Sequence, residues 1–285
     1  MSARRHSRQG EFPPAPEALP VAVLDSHTHI DITLEGDGQN GPSTVADALD
    51  RAKAAGVDRL VQVGVDVESS RWGVQVAEEH PDVVATVALH PNDAPRQADL
   101  DGALREIERL AAHPRVRGIG ETGLDYFRTG DDGRKAQHES FRAHISIAKR
   151  YGKTLVIHDR DAHDDILRVL DEEGPPDQVV LHCYSGDEAF ARECLDRGYL
   201  LSFAGTLTFG NAKDLRAAAA ITPLDGLLVE TDAPFLTPVP FRGRPNASYL
   251  IPLTVRALAE VAGHDLDTLC AAISANGTRA FGEWR

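Results

Sequence analysis

An α/β fold, a closed (β/α)8 TIM barrel of parallel strands, is predicted by two observations. Short β-rich apolar runs alternate eight times with amphipathic helical patterns, and no glycine-rich phosphate fingerprint follows any early strand. The second observation disfavours an open doubly wound sheet. The strand-like runs are 21–27, 59–65, 83–90, 116–121, 154–158, 178–183, 199–204 and 226–231. Helical patterns cover 43–55, 68–79, 100–112, 135–151, 162–173, 187–197, 212–220 and 248–262. Gly56, Gly152, Gly174 and Gly198 close four of these patterns, where a residue tolerant of positive φ is favoured. Ser43 and Asp187 read as N-caps. A last helical stretch, 265–281, lies outside the eightfold count and is expected to pack on the barrel or close its base.

Residues 1–20 carry Arg4, Arg5 and Arg8 and then four prolines, without the apolar core of a signal peptide, and read as a disordered tail. Residues 21–285 are expected to form one barrel domain with no interdomain linker. Three cysteines, an odd number without CxxC spacing, suggest neither a disulfide framework nor a zinc knuckle, which fits a cytoplasmic protein. No apolar stretch is long enough to span a bilayer, and neither a membrane nor an obligate protein partner is expected. The net charge of −14 excludes coating nucleic acid through bulk positive potential, so any polyanion must be handled locally.

Barrel chemistry gathers where strands run out at their C-terminal ends. The first run ends in Asp25-Ser-His-Thr-His-Ile-Asp31, and residues two apart on a strand project the same way, so His27 and His29 form a two-imidazole claw. Asp25 and Asp31 are available to orient it. Glu121 ends the fourth run, His158 the fifth and His182 the sixth, while Asp232 lies just past the eighth. Six such ligands exceed the needs of one four-coordinate catalytic ion and suit two divalent ions sharing a carboxylate. Glu121 is the expected bridge, with His27, His29 and Asp232 on one ion and His158 and His182 on the other. The ions expected are Mg, Mn or Zn.

Five motifs carry a resemblance: Asp25-Ser-His-Thr-His-Ile-Asp31, Gly118-Ile-Gly-Glu-Thr-Gly-Leu-Asp125, Ile157-His-Asp-Arg-Asp-Ala162, His182-Cys-Tyr-Ser-Gly186 and Glu230-Thr-Asp-Ala-Pro234. In order and spacing they resemble the TatD family of metal-dependent deoxyribonucleases, from about Val21 to Phe281. The resemblance implies a TIM barrel of the amidohydrolase-like kind and divalent-ion-dependent cleavage of DNA phosphodiester bonds, often as a 3′ to 5′ exonuclease on single-stranded or frayed ends. Its metal ligands fall on His27, His29, Glu121, His158, His182 and Asp232. Glu121 and Asp232 are the expected catalytic residues, and Asp232, as a late-strand carboxylate, is expected to accept the proton of the attacking water. Arg242-Gly-Arg-Pro-Asn246, followed by Tyr249-Leu250, resembles the family's late loop near the site, although Ala247 and Ser248 stand where a proline is usual. His90-Pro-Asn92 has asparagine where the family often has a second histidine, a departure that bears on substrate handling. Residues 35–42 read as a variable loop.

Around these ligands, Glu230 is expected to hold a ligand histidine or water, or to accept a structural hydrogen bond. Asp125 is expected to orient a ligand or, by preference, to cap its loop. Arg128, Arg160, Arg242, Arg244 and Lys213 are candidates for phosphate contact. Tyr126 and Phe127 are candidates for stacking an unpaired base. His90, His138, His144 and His163 read as structural or surface residues. Two alternatives share the metal cradle, a small-molecule amide or ester hydrolase and an aminoacyl-tRNA deacylase; a nonenzymatic scaffold with structural ions is a third.

Overall fold

The computed structural model describes residues 10–36 and 38–284. Eight strands form one sheet in sequence order: β1 (Val23–Thr28), β2 (Val57–Val63), β3 (Val83–Val87), β4 (Val116–Asp125), β5 (Thr154–Arg160), β6 (Val179–Leu181), β7 (Leu200–Phe203) and β8 (Leu227–Val229). The helices are α1 (Ile30–Leu34), α2 (Val45–Ala54), α3 (Val67–Glu79), α4 (Leu100–Ala111), α5 (Asp131–Tyr151), α6 (His163–Glu173), α7 (Glu188–Asp196), α8 (Lys213–Ile221), α9 (Ile251–Ala262) and α10 (Leu266–Phe281). Strands alternating with helices in this order make the fold a (β/α)8 TIM barrel, with α10 as the extra C-terminal helix.

The chain divides into two compact units. The first holds β1, β7, β8, α1, α2 and α7 to α9, and within it the last strand lies against the first. Ser26 Oγ donates to Val229 O at 2.9 Å, Asp232 N to His27 O at 2.9 Å and His29 N to Ala233 O at 2.9 Å. Every residue of β1 is buried, as are Leu227 to Val229, and α9 covers this side with Val255 and Leu258.

Residues 10–20 belong to this unit and correct the expected tail. Glu11 bridges to Gln39, Phe12 N donates to Gln39 O at 3.0 Å, and Leu19 N donates to Ala55 O at 3.1 Å. Phe12 is buried with Ala55, Ala247, Tyr249 and Leu250, and Tyr249 Oη donates to Pro13 O at 2.6 Å. Burying one aromatic side chain stabilises by about 2 kcal/mol, enough to hold a proline-rich segment that gives up little backbone freedom on docking. Residues 1–9, the rest of the expected tail, lie outside the described residues.

The second unit holds β3 to β6 with α3 to α6, its strands pairing in parallel. All five residues of β3 are buried, and α5 turns Phe141, Ile145 and Ala148 inward. β4 runs four residues beyond its expected end at Glu121, staying paired with β5 as far as Asp125 and Arg160 after a register shift between Ile119 and Thr122. Gly123 makes that extension possible. Its φ is +132°, and a Cβ there would fall 2.1 Å from His158 O, so no side chain fits. The glycines expected at helix ends all have positive φ: Gly56 at 84°, Gly152 at 59°, Gly174 at 69° and Gly198 at 78°. No helix among the described residues is long and apolar enough to cross a membrane.

Candidate metal centre

In the first unit, strand alternation puts His27 and His29 on one side, fully or almost fully buried, with ring centroids 5.1 Å apart and edge-on. Asp232 reaches them from just past β8. Its Oδ1 lies 3.4 Å from His29 Nε2 and 3.9 Å from His27 Nε2. One donor atom from each of the three residues lies within 4.8 Å of the others.

The backbone sets this geometry. Asp232 has φ +51°, in the left-handed region that aspartate tolerates better than most residues. The turn is held from below by Asp25, whose carboxylate accepts from Thr231 N at 2.9 Å and from Thr231 Oγ1 at 2.5 Å. Complete burial pushes the Asp25 carboxyl up to about 7 despite those hydrogen bonds. From the other side, Asn246 Nδ2 donates to Thr231 O at 2.9 Å and Phe235 O at 2.6 Å. Asn246 is fully buried, so its amide supports the turn and does not face substrate.

In the second unit the carboxylate is at the middle. Glu121, 4% exposed, places Oε1 2.7 Å from His158 Nδ1, 3.1 Å from His182 Nε2 and 3.2 Å from His90 Nε2. Burial works against its charge, yet His90, His182 and His158 hold the carboxyl well below the usual range. His158 lies between two acids, with Nε2 3.2 Å from Asp125 Oδ2. Burial opposes its protonation, but the hydrogen bonds to Asp125 and Glu121 raise the imidazole to about 9.

Asp125 makes contacts of both kinds expected of it. Its Oδ1 accepts from Arg128 N at 2.8 Å, capping the loop, while Oδ2 orients His158 and accepts from Asn92 Nδ2 at 2.8 Å. Asn92 Oδ1 in turn accepts from Thr129 Oγ1 at 2.9 Å. The asparagine that departs from the family pattern therefore supports the carboxylate behind His158.

His90 departs from the expectation of a structural or surface residue. It is buried, and with Glu121 and His158 it offers donor atoms within 4.8 Å of one another. Its Nδ1 accepts from Asn92 N at 3.0 Å, so Nε2 carries the proton and donates to Glu121. In that tautomer His90 steadies the carboxylate, and it is a member of the second unit's donor set. The signal was present in the sequence: His90 follows a strand, as the other site histidines do.

Other expected contacts divide. Arg244 is engaged elsewhere, donating to Glu11 O at 2.8 Å and Phe12 O at 2.9 Å. Tyr126 Oη donates to Asp165 Oδ2 at 2.5 Å and lies 2.7 Å from His138 Nε2; its ring carries the Arg134 guanidinium at 4.2 Å. Half-buried, with its hydroxyl engaged, that ring leaves less open face for a base than the exposed ring of Phe127. Arg160 stacks on Phe127 at 4.1 Å and Arg242 on Phe209 at 4.3 Å. Glu230 is completely buried.

Imidazole nitrogens and carboxylate oxygens are the donors a borderline divalent ion takes, and each unit supplies such a set. The residues fit a metal centre.

Comparison with known proteins agrees. The family model described as TatD related DNase matches residues 24–282. The chain is 47% identical over 264 residues to an uncharacterized metal-dependent hydrolase, TatD, of Mycobacterium tuberculosis, covering 91% of this chain and 98% of that one. It is 36% identical over 260 residues to the uncharacterized metal-dependent hydrolase YcfH of Escherichia coli K12, covering 91% and 95%. Among solved structures, the TatD homolog YjjV of Escherichia coli K12 matches with a TM-score of 0.82 at 27% identity, covering 92% of this chain and 98% of that one. Matched from its first strand to its last helix, the chain belongs to the TatD-related DNase family of metal-dependent hydrolases.

Proposed function

We propose that this protein hydrolyses DNA phosphodiester bonds with two divalent ions, as a 3′ to 5′ exodeoxyribonuclease acting at unpaired ends. The observation that carries the reading is that each unit presents an imidazole and carboxylate donor set at strand ends, in a chain of this family. His27, His29 and Asp232 would hold one ion, and Glu121, His158 and His182 the other. Bound there, the ions supply Lewis acidity that polarises the phosphoester and offsets charge on the leaving oxygen.

The remaining work falls to the chain. Asp232, its side chain 16% exposed against 0% and 4% for His27 and His29, is the member of its set that meets solvent, and it accepts the proton of the attacking water. Asp25 and Asn246 keep its carboxylate aimed. Glu121 stays ionised between its imidazoles, and His90 Nε2–H fixes its orientation.

The test is turnover of 3′-labelled and 5′-labelled single strands with Mg, Mn and Zn in turn, beside a panel of amides and carboxylic esters and chelator controls. Stepwise shortening from the 3′ end, lost with chelator, is expected. Inert DNA with rapid amide or ester cleavage would assign a small-molecule hydrolase.

A further inference from the structure

Most arginines among the described residues of this acidic chain are engaged by carboxylates or carbonyls, as in the pairs Arg71 with Glu106, Arg142 with Glu172 and Arg168 with Asp165. Among the described residues the guanidinium groups of Arg128 and Arg160 have neither kind of partner. Arg128 follows Phe127 in the chain, and Phe127, 63% exposed, is the most exposed large hydrophobic side chain among the described residues. Arg160 stacks on the Phe127 ring, its Cζ 4.1 Å from the centroid.

The position is as telling as the composition. Phe127 and Arg128 follow β4, which carries Glu121; Arg160 ends β5, which carries His158. The backbone joins the two ends, with Tyr126 N donating to Arg160 O at 2.9 Å. Asp125 links this corner to the donor set, accepting from Arg128 N on one oxygen and facing His158 Nε2 with the other. An exposed ring is open to stack a base, and a guanidinium stacked on that ring is pre-oriented to grip phosphate.

We propose that Phe127, Arg128 and Arg160 form a subsite for one unpaired nucleotide, with the base stacked on Phe127 and its flanking phosphates on the two guanidinium groups. The assignment rests on the DNA-hydrolysing reading above and names how that substrate is held. Two local positive charges supply what a chain of net charge −14 lacks. A base inside a duplex is stacked on both faces and has none to offer Phe127, so the subsite favours single strands.

The test uses the metal-loaded full chain and a short, fluorescein-labelled single strand with phosphorothioate linkages, so that anisotropy reads binding without cleavage. Loss of one stacked base predicts about 5- to 100-fold weaker binding for Phe127→Ala, with Phe127→Trp close to wild type. Arg160→Gln or Arg128→Gln should weaken binding whatever the sequence and reduce the slope of log affinity against log salt by about 0.7. Arg105→Gln, an exposed charge on α4, is the control and should change neither. Wild-type binding by Phe127→Ala, or equal loss for a blunt duplex, would overturn the subsite, as would failure of the wild type to bind single strands. The two readings fail separately. Binding through Phe127 without cleavage by any metal sinks the nuclease and leaves the subsite, whereas cleavage with KM unchanged in Phe127→Ala does the reverse.

Discussion

The two donor sets use the same residue types and are built in opposite ways. Around His27, His29 and Asp232 the main chain does the positioning: strand alternation places the imidazoles, and a left-handed turn pinned by Asp25 and Asn246 places the acid. Around Glu121 the side chains position one another, through His90, His158, His182, Asp125 and Asn92. A backbone-built site tolerates loss of a neighbouring side chain so long as the turn survives. A network-built site transmits the loss to its ligands.

The largest effect tests the acid of the first set. Asp232→Asn keeps the turn but removes the proton acceptor, and single-turnover cleavage of labelled single strands should fall about 10²- to 10⁴-fold, with the circular dichroism spectrum unchanged. Near-normal turnover with metal bound would refute the acceptor role of Asp232.

Next comes the pH dependence of stability in the second unit. His144 Nε2 accepts from Leu89 N at 3.0 Å and its Nδ1 donates to Ser140 O at 2.6 Å, so this buried imidazole is neutral and fixes the chain just ahead of His90. Burial lowers it from 6.5 to about 4. The unfolded chain therefore binds the extra proton first. Stability is fully present above about pH 6.5 and is lost as pH falls through 4, by a total on the order of 3 kcal/mol. Urea unfolding across that window should show the slope, and His144→Gln should flatten it at the cost of a lower plateau at neutral pH.

Support behind the second set comes third. Asp125→Asn should weaken divalent-ion binding about 10- to 100-fold by calorimetry, because the carboxylate behind His158 is lost. Asn92→Ala should go the same way by less. If both variants bind metal as the wild type does, the contrast between the sets collapses. The smallest effect belongs to the first set: Asn246→Ala removes two hydrogen bonds to the turn and should cost about 1–3 kcal/mol in chemical denaturation while leaving metal affinity within a few-fold.

The alternation of strands and helices was legible because each βα unit repeats the same burial logic. The glycine helix ends were legible because few other residues accept positive φ. The strand-end histidines and acids were legible for a similar reason, since a barrel gives those positions a shared address. What escaped was local. α1, five residues long, is too short to show a helical period. The continuation of β4 to Asp125 hides in a glycine-rich stretch that reads as a loop. His90 was read as structural or surface although it shares the strand-end position, because nothing in the sequence shows that Glu121 lies within reach of it. Arg244 and Asn246 escaped because backbone carbonyls claim their donors, and sequence does not say which carbonyls will be near.

The ring of Phe12 fills the space over Gly38 and Gly41, where an added Cβ would come within 2.3 Å of Cε2 in both cases. A segment read as freely variable is thus a mould for one aromatic side chain. Alanine at either glycine should lift the leader off its seat, and with it the carbonyls that anchor Arg244. Trimming past Gly10 should therefore make the enzyme easier to inactivate by heat.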